Sequence, residues 1–169
     1  MRLVVLAFAF ATPVLELYQN GRFAEMVEQL KNDGSAEGRR WLARAYYSGR
    51  GPSLGDARRA REILAGSNDL EALAEVELEL NPAQALKLAR QAGDRVVAAQ
   101  ALVKLGRKAE ALKEAREAER GADLRAWNAV GRVYFELGDR VAAGRCVQAA
   151  MPLAAQVIGK TRPTLADLH

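Results

Sequence analysis

The segment from Leu124 to Leu153 constrains the fold of this sequence most, because its apolar residues follow the period of two consecutive helices. In the first half, apolar side chains recur every three or four residues, which places them on one side of a helix. They are Leu124, Trp127, Val130, Tyr134 and Leu137. Gly138 ends this helix, and Asp139 offers an N-cap oxygen to the next one. The second stripe consists of Ala143, Val147, Ala150 and Met151.

A single pair of short helices cannot bury both stripes, because one broad apolar side stays in water. The sequence therefore requires further helix pairs stacked against this one. The composition agrees, since 50% of the 169 residues are hydrophobic, 27% are charged and only 6% are aromatic. Ala, Leu, Arg and Glu dominate, and alternating runs of β-branched residues are missing, so we expect an all-α protein without a sheet.

The same helix-turn-helix pattern repeats along the chain. Gly93-Asp94 repeats the signal in which glycine stops one helix and aspartate caps the next, and Asn81-Pro82 is an N-cap followed by proline in the first turn. The second helices of the pairs share one position, which is small in four of five cases: Met26, Ala60, Ala85, Ala111 and Ala143. Four residues later stand Leu30, Leu64, Ala89, Ala115 and Val147. Internal repetition, with about five hairpins, accounts for this alignment.

Two of the hairpins resemble known repeat families. The last resembles the tetratricopeptide repeat at Trp127, Val130, Gly131, Tyr134, Gly138, Ala143, Val147 and Ala150. The second resembles the related Sel-like repeat at Leu42, Ala43, Tyr46, Gly49, Gly51, Asp56 and Ala60. The resemblance implies a right-handed solenoid of about five antiparallel helix hairpins, a tetratricopeptide-like superhelix, over residues 12–155. It also implies a binding scaffold and transfers no catalytic residue.

In the resembled repeats the first helix of each hairpin lines a concave groove, which predicts the partner-binding residues here. They are Arg40, Arg44 and Tyr47 in the second hairpin, Gln100 and Lys104 in the fourth, and Arg125, Asn128, Arg132 and Phe135 in the fifth. Arginine and asparagine can hold the carboxylates or main chain of a peptide, and the two aromatic residues offer apolar contact. The expected partner is a protein or peptide, and self-association is left open.

The charges of the chain argue against nucleic acid as the partner. The net charge is +4 and the isoelectric point is near 9.5, but Lys and Arg alternate with Asp and Glu on nearly every predicted helix. Residues 68–79 are acidic, without Lys or Arg. If Glu71, Glu75 and Glu79 served as general acid and base, the chain would instead be a helical-repeat domain of a cell-envelope hydrolase system. We expect a solvated or partner-facing acidic surface and no enzymatic activity.

The sequence gives little support for a disulfide, a metal site, a histidine general base or a phosphate-binding loop. The single cysteine, Cys146, excludes an intramolecular disulfide and a Cys-clustered zinc site, and is expected to pack as a small apolar residue. The only histidine is the terminal His169, a poor position for a general base. The stretch 154–161 resembles a phosphate-binding loop but follows a helix instead of a strand, and the glycines of 49–55 are spaced for a turn. No metal or cofactor is expected.

The two ends of the chain are expected to lie outside the repeat domain. Residues 1–11 carry an apolar run with a small-x-small pattern at 9–11, which favours an exported, periplasmic protein with a cleaved signal. The alternative is a cytoplasmic protein in which this run begins the first helix. The run is too short to span a membrane. Residues 156–169 are expected to form a tail. The sequence thus predicts a scaffold that holds a protein segment in its groove within a bacterial assembly.

Overall fold

A computed structural model of the chain describes residues 14–18, 20–49 and 55–161. In these ranges the regular structure is helical and no strand occurs, which confirms the all-α prediction. A short helix over residues 14–18 is α1. It is followed by α2 Phe23–Leu30, α3 Ala36–Ser48, α4 Ala57–Leu64, α5 Leu70–Leu80, α6 Pro82–Ala92, α7 Arg95–Lys104, α8 Lys108–Ala118, α9 Leu124–Glu136 and α10 Arg140–Thr161. The predicted signal segment 1–11 and residues 162–169 of the predicted tail lie outside the described residues.

The helix boundaries follow the glycine and aspartate signals of the sequence. Gly138 has a φ of +86°, a conformation that glycine adopts without strain, and the Asp139 carboxylate accepts the Ala142 N–H at 2.9 Å. The same combination of a glycine and an aspartate N-cap joins α6 to α7, where the Asp94 carboxylate accepts the Val97 N–H at 3.0 Å. These turns fix where one helix ends and the next begins.

The chain divides into two compact units, residues 1–88 and 89–169, with the boundary inside α6. The core of the first unit has two clusters. One joins α1 and α2 to α3 and consists of Val14, Met26, Leu30, Leu42 and Ala45. The other joins α3, α4 and α5 and consists of Ala43, Ala60, Leu64, Ala72 and Val76. The helical spacing of Trp41 and Tyr46 predicts that both anchor the core, and both are half-buried against these clusters.

Helix α5 buries a wider face than its sequence predicts. The helical spacing of α5 predicts a buried stripe of Leu70, Leu73, Ala74 and Leu80, but only Ala74 is buried and the three leucines are half-buried. Ala72, Val76 and Leu78 are buried in addition. The reason is that α5 packs against both α3 and α4, so two sides of the helix face neighbours.

The core of the second unit is built from small residues around one tyrosine. Its buried residues are Ala99, Ala115, Val130, Val133, Tyr134, Ala142, Ala143 and Cys146. Tyr134 is 1% exposed, as expected for a core anchor, and Trp127 is half-buried against the cluster. Cys146 is buried as a packed side chain, as predicted.

The five residues that the sequence aligns at one repeat position are all buried. Met26, Ala60, Ala85 and Ala111 are each 0% exposed, and Ala143 is 9% exposed. Of the residues four positions later, Leu30, Leu64, Ala89 and Ala115 are buried, whereas Val147 is 58% exposed. The small residues thus stand where helices meet.

The predicted core positions of Val147 and Met151 are wrong. Met151 is 64% exposed, and α10 buries Ala142, Ala143, Cys146 and Ala150 instead. A Cβ atom added to Gly131 of α9 would lie 3.1 Å from the Cys146 Cβ, so α9 and α10 meet closely along this face. Because α10 is apolar on several sides, the period of its sequence could not distinguish the face with Cys146 from the adjacent face with Val147.

Helix α10 continues to Thr161 and includes the stretch 154–161 that resembles a phosphate-binding loop. The first six residues of the segment 156–169 are therefore helical. Among the described helices, none combines the length and apolar character that a membrane span requires.

Two leucines at the end of α7 test this packing. The apolar spacing of this helix predicts that Leu102 and Leu105 both face the core. Leu102 is 0% exposed, whereas Leu105 follows the helix end and is 38% exposed. We expect Leu102→Ala to lower the free energy of unfolding by about 3 kcal/mol, since it leaves a cavity. Leu105→Ala should lower it by less than about 1 kcal/mol. Urea unfolding of both variants measures the difference, and equal losses would contradict this arrangement.

Candidate functional site

The predicted binding residues Arg40 and Arg44 of α3 face acidic residues of α5. The Arg40 Nε donates a hydrogen bond to the Asp69 carboxylate. Arg44 Nη2 lies 3.8 Å from Glu75 Oε1, and the Arg44 guanidinium carbon lies 5.4 Å from the centre of the Trp41 ring. Half-exposed ion pairs contribute about 0–1 kcal/mol each, so a ligand carboxylate could compete for these arginines only against a partner already in place.

The acidic segment of α5 has structural partners within the first unit. Asp69 is the N-cap of α5 and accepts the Ala72 N–H at 3.1 Å. Glu77 is 6% exposed and lies 3.6 Å from Arg61 of α4. The carboxylates of Asp69, Glu75 and Glu77 therefore face arginines of α3 and α4, which the sequence alone did not reveal.

The other predicted residues differ in their environment. Tyr47 is half-buried and packs against the cluster that contains Ala43 and Ala60. On α7, Gln100 is half-buried and Lys104 is exposed, and Arg125 is exposed at the start of α9. Asn128, Arg132 and Phe135 are exposed and lie together, on the side of α9 that faces α10.

These three residues line a groove of about 750 Å³ between α9 and α10, named here the α9–α10 groove. Helix α9 contributes Trp127, Asn128, Gly131, Arg132, Phe135 and Glu136. Helix α10 contributes Arg140, Ala143, Gly144 and Val147. The groove thus belongs to one hairpin, whereas the sequence predicted a surface formed by the first helices of several hairpins.

Small residues keep the α9–α10 groove open, and large apolar residues border it. Gly131, Ala143 and Gly144 project little or no side chain between the two helices. Phe135 on α9 is 65% exposed and Val147 on α10 is 58% exposed. Met151 lies one turn further along the same face of α10. Apolar side chains grouped at one surface in this way are a common feature of binding sites.

The border of the α9–α10 groove is basic. Arg132 and Arg140 line it, together with the single carboxylate of Glu136. Within the described part of the chain, neither arginine has an ion-pair partner. Their guanidinium groups can therefore donate hydrogen bonds to a bound carboxylate without losing an internal contact.

A partly buried hydrogen bond connects α9 to the end of α8. The Tyr134 hydroxyl donates a hydrogen bond to the carboxylate of Glu119, the residue at the end of α8. Burial, assisted by the Glu119 carboxylate, raises the pKa of Tyr134 well above its ordinary value. Burial and the same carboxylate also raise the pKa of the Cys146 thiol. Both groups stay protonated at neutral pH and act as packed, neutral side chains.

The sequence missed Arg140, Gly144 and Val147 as residues of the groove, and the neighbouring Met151. A signal for them exists, because α10 carries more apolar residues than one helix face can bury, with Val141, Val147 and Met151 all exposed. Such a surplus indicates a second contact face on the same helix.

Comparison with family models, with curated proteins and with solved structures found no match. Among the described residues, no group of three or more His, Cys, Asp or Glu side chains could hold a metal ion.

The contact between Tyr134 and Glu119 gives a test based on pH. A tyrosine whose pKa is raised in the folded state stabilises the fold fully below its unfolded pKa of about 10, and loses this contribution as the pH rises further. We expect Tyr134→Phe to lower the free energy of unfolding by about 1–3 kcal/mol at neutral pH. Between about pH 9 and 11 the wild type should lose stability more steeply than the variant. Urea unfolding across this range measures both effects, and parallel curves would argue against the buried contact.

Proposed function

We propose that this chain is a non-enzymatic helical-repeat scaffold that binds a segment of another protein in the α9–α10 groove. The observation that carries the proposal is the group of exposed apolar side chains, Phe135 and Val147, on either side of a floor of small residues. A folded protein rarely presents large apolar residues around an open groove unless another surface covers them. Arg132 and Arg140 add directional hydrogen-bond donors to the apolar contact.

We assign the chain to the tetratricopeptide-like class of right-handed helical repeats, with about five hairpins. Three observations support this assignment: the glycine and aspartate turn that recurs between helices, the buried position shared by the second helices, and the close approach of α9 and α10 at Gly131. Stacked repeats of this kind form extended surfaces that bind partners.

The alternative of a hydrolase domain is less well supported. Its candidate catalytic groups lie in the acidic segment of α5, where Asp69 caps the helix and where Glu75 and Glu77 lie near arginines. These contacts explain the acidic residues by the stability of the first unit. A role in binding a partner, unlike hydrolysis, also explains why Phe135 and Val147 are exposed.

Two valines of α10 provide a matched test of the proposed function. Val147 lines the α9–α10 groove, whereas Val141 is 74% exposed and is not among the residues that line it. From a display library of random 16-residue peptides, selection against the full chain should yield peptides that bind in the groove. Val147→Glu should lower the affinity of the chain for these peptides at least about tenfold, which corresponds to a loss of about 1.4 kcal/mol in binding free energy. Val141→Glu should change their affinity less than about twofold, by fluorescence anisotropy. If no selected peptide responds to Val147→Glu, the proposal is wrong.

A further inference from the structure

We infer that the segment bound in the α9–α10 groove is an amphipathic α-helix of about three turns that carries acidic side chains beside its apolar stripe. The inference rests on the proposed function and specifies the conformation and charge of the partner. Three properties of the groove support this inference: its length, the hydrogen bonding of the main-chain groups along its walls, and its charge.

The length of the groove matches a short helix. The lining of the groove runs from Trp127 to Glu136 on α9, about 14 Å of helix, and from Arg140 to Val147 on α10. The exposed Met151 lies one turn beyond Val147 on the same face, so the exposed face of α10 extends from Arg140 over about 16 Å, or three turns. A bound helix with apolar residues at positions i, i+4, i+7 and i+11 presents an apolar stripe of the same length.

The backbone of the groove favours a helical ligand over an extended one. Both walls are helices, and the main-chain groups along them form hydrogen bonds within the helix. An extended segment would find no free main-chain edge with which to pair its own N–H and C=O groups, as it would beside a sheet. A helix satisfies these groups internally. The small floor of Gly131, Ala143 and Gly144 also lets a third helix approach closely.

The charge of the groove favours acidic flanks on the ligand and disfavours a second copy of this chain. Arg132 and Arg140 face the opening, with Glu136 as the only carboxylate of the lining. Two such grooves placed face to face would bring four arginines together with two carboxylates. An acidic helix instead pairs with both arginines and gains a complementary potential, which speeds association as well as strengthening it.

The test uses peptides from the random library whose binding depends on Val147, so that conformation and charge are measured at the proposed site. We expect their apolar residues to recur every three or four positions, their net charge to be negative, and their circular dichroism to gain helical signal on binding. The double charge reversal Arg132→Glu with Arg140→Glu should lower the affinity of these peptides at least about tenfold. Arg145→Glu is the matched control, because Arg145 is exposed on α10 outside the groove lining, and it should change binding less than about twofold.

The outcomes separate this inference from the proposed function. Peptides that depend on Val147 but bind in an extended form, or are basic, or ignore the arginine reversal, overturn the inference and leave the function in place. The absence of any peptide that depends on Val147 overturns both. A dimer in sedimentation velocity that Val147→Glu dissociates would identify a second copy as the occupant. A chain ending at Thr161 that binds the peptides at least about tenfold more tightly would identify residues 162–169 as the occupant. Either result overturns the inference.

Discussion

The structure of the second unit depends on close contact between helices through small residues. Gly131 of α9 lies against Cys146 of α10, where a Cβ atom would already be within 3.1 Å of its neighbour. Such an approach brings atoms of the two helices into dispersion contact, and a side chain at position 131 would require its neighbour on α10 to shift by a few tenths of an ångström. It has a second effect, because residues too small to fill space beside the contact leave an open groove. The same small residues therefore allow the close packing of α9 against α10 and form the α9–α10 groove.

Charge is distributed differently around α5 and around the α9–α10 hairpin. In the first unit, acidic residues of α5 lie near arginines of α3 and α4, so these side chains compensate one another. In the second unit, Arg132 and Arg140 have no such partner among the described residues. A charge without an internal partner can interact with a ligand at no cost in lost contacts. This difference leaves the arginines of α9 and α10 available to a ligand.

Local signals of the sequence predicted the helices, and only part of the site. The cap at Asp139, the stop at Gly138 and the buried alanines at positions 60, 85 and 111 were predictable, because each depends on a few neighbouring residues. Asn128, Arg132 and Phe135, which the sequence predicted to face outward from α9, are exposed. The contacts of Arg40 with Asp69 and of Arg44 with Glu75 were not predictable, since they join residues about 30 positions apart through tertiary packing. The exposed Val147 was missed because an alanine-rich helix offers several apolar faces of similar strength.

The most direct test of this account is the orientation of α10, which decides whether the α9–α10 groove exists. Thiol labelling with an aromatic disulfide reagent compares two adjacent positions: the native Cys146, which is 2% exposed, and a Val147→Cys variant in which Cys146 is replaced by alanine. The account predicts that the thiol at position 147 reacts almost as fast as a free thiol, and that Cys146 reacts at least about 100-fold more slowly, since it reacts only when the helix pair opens. A slow thiol at position 147, or a fast Cys146, would place the opposite face of α10 in the core and contradict the groove.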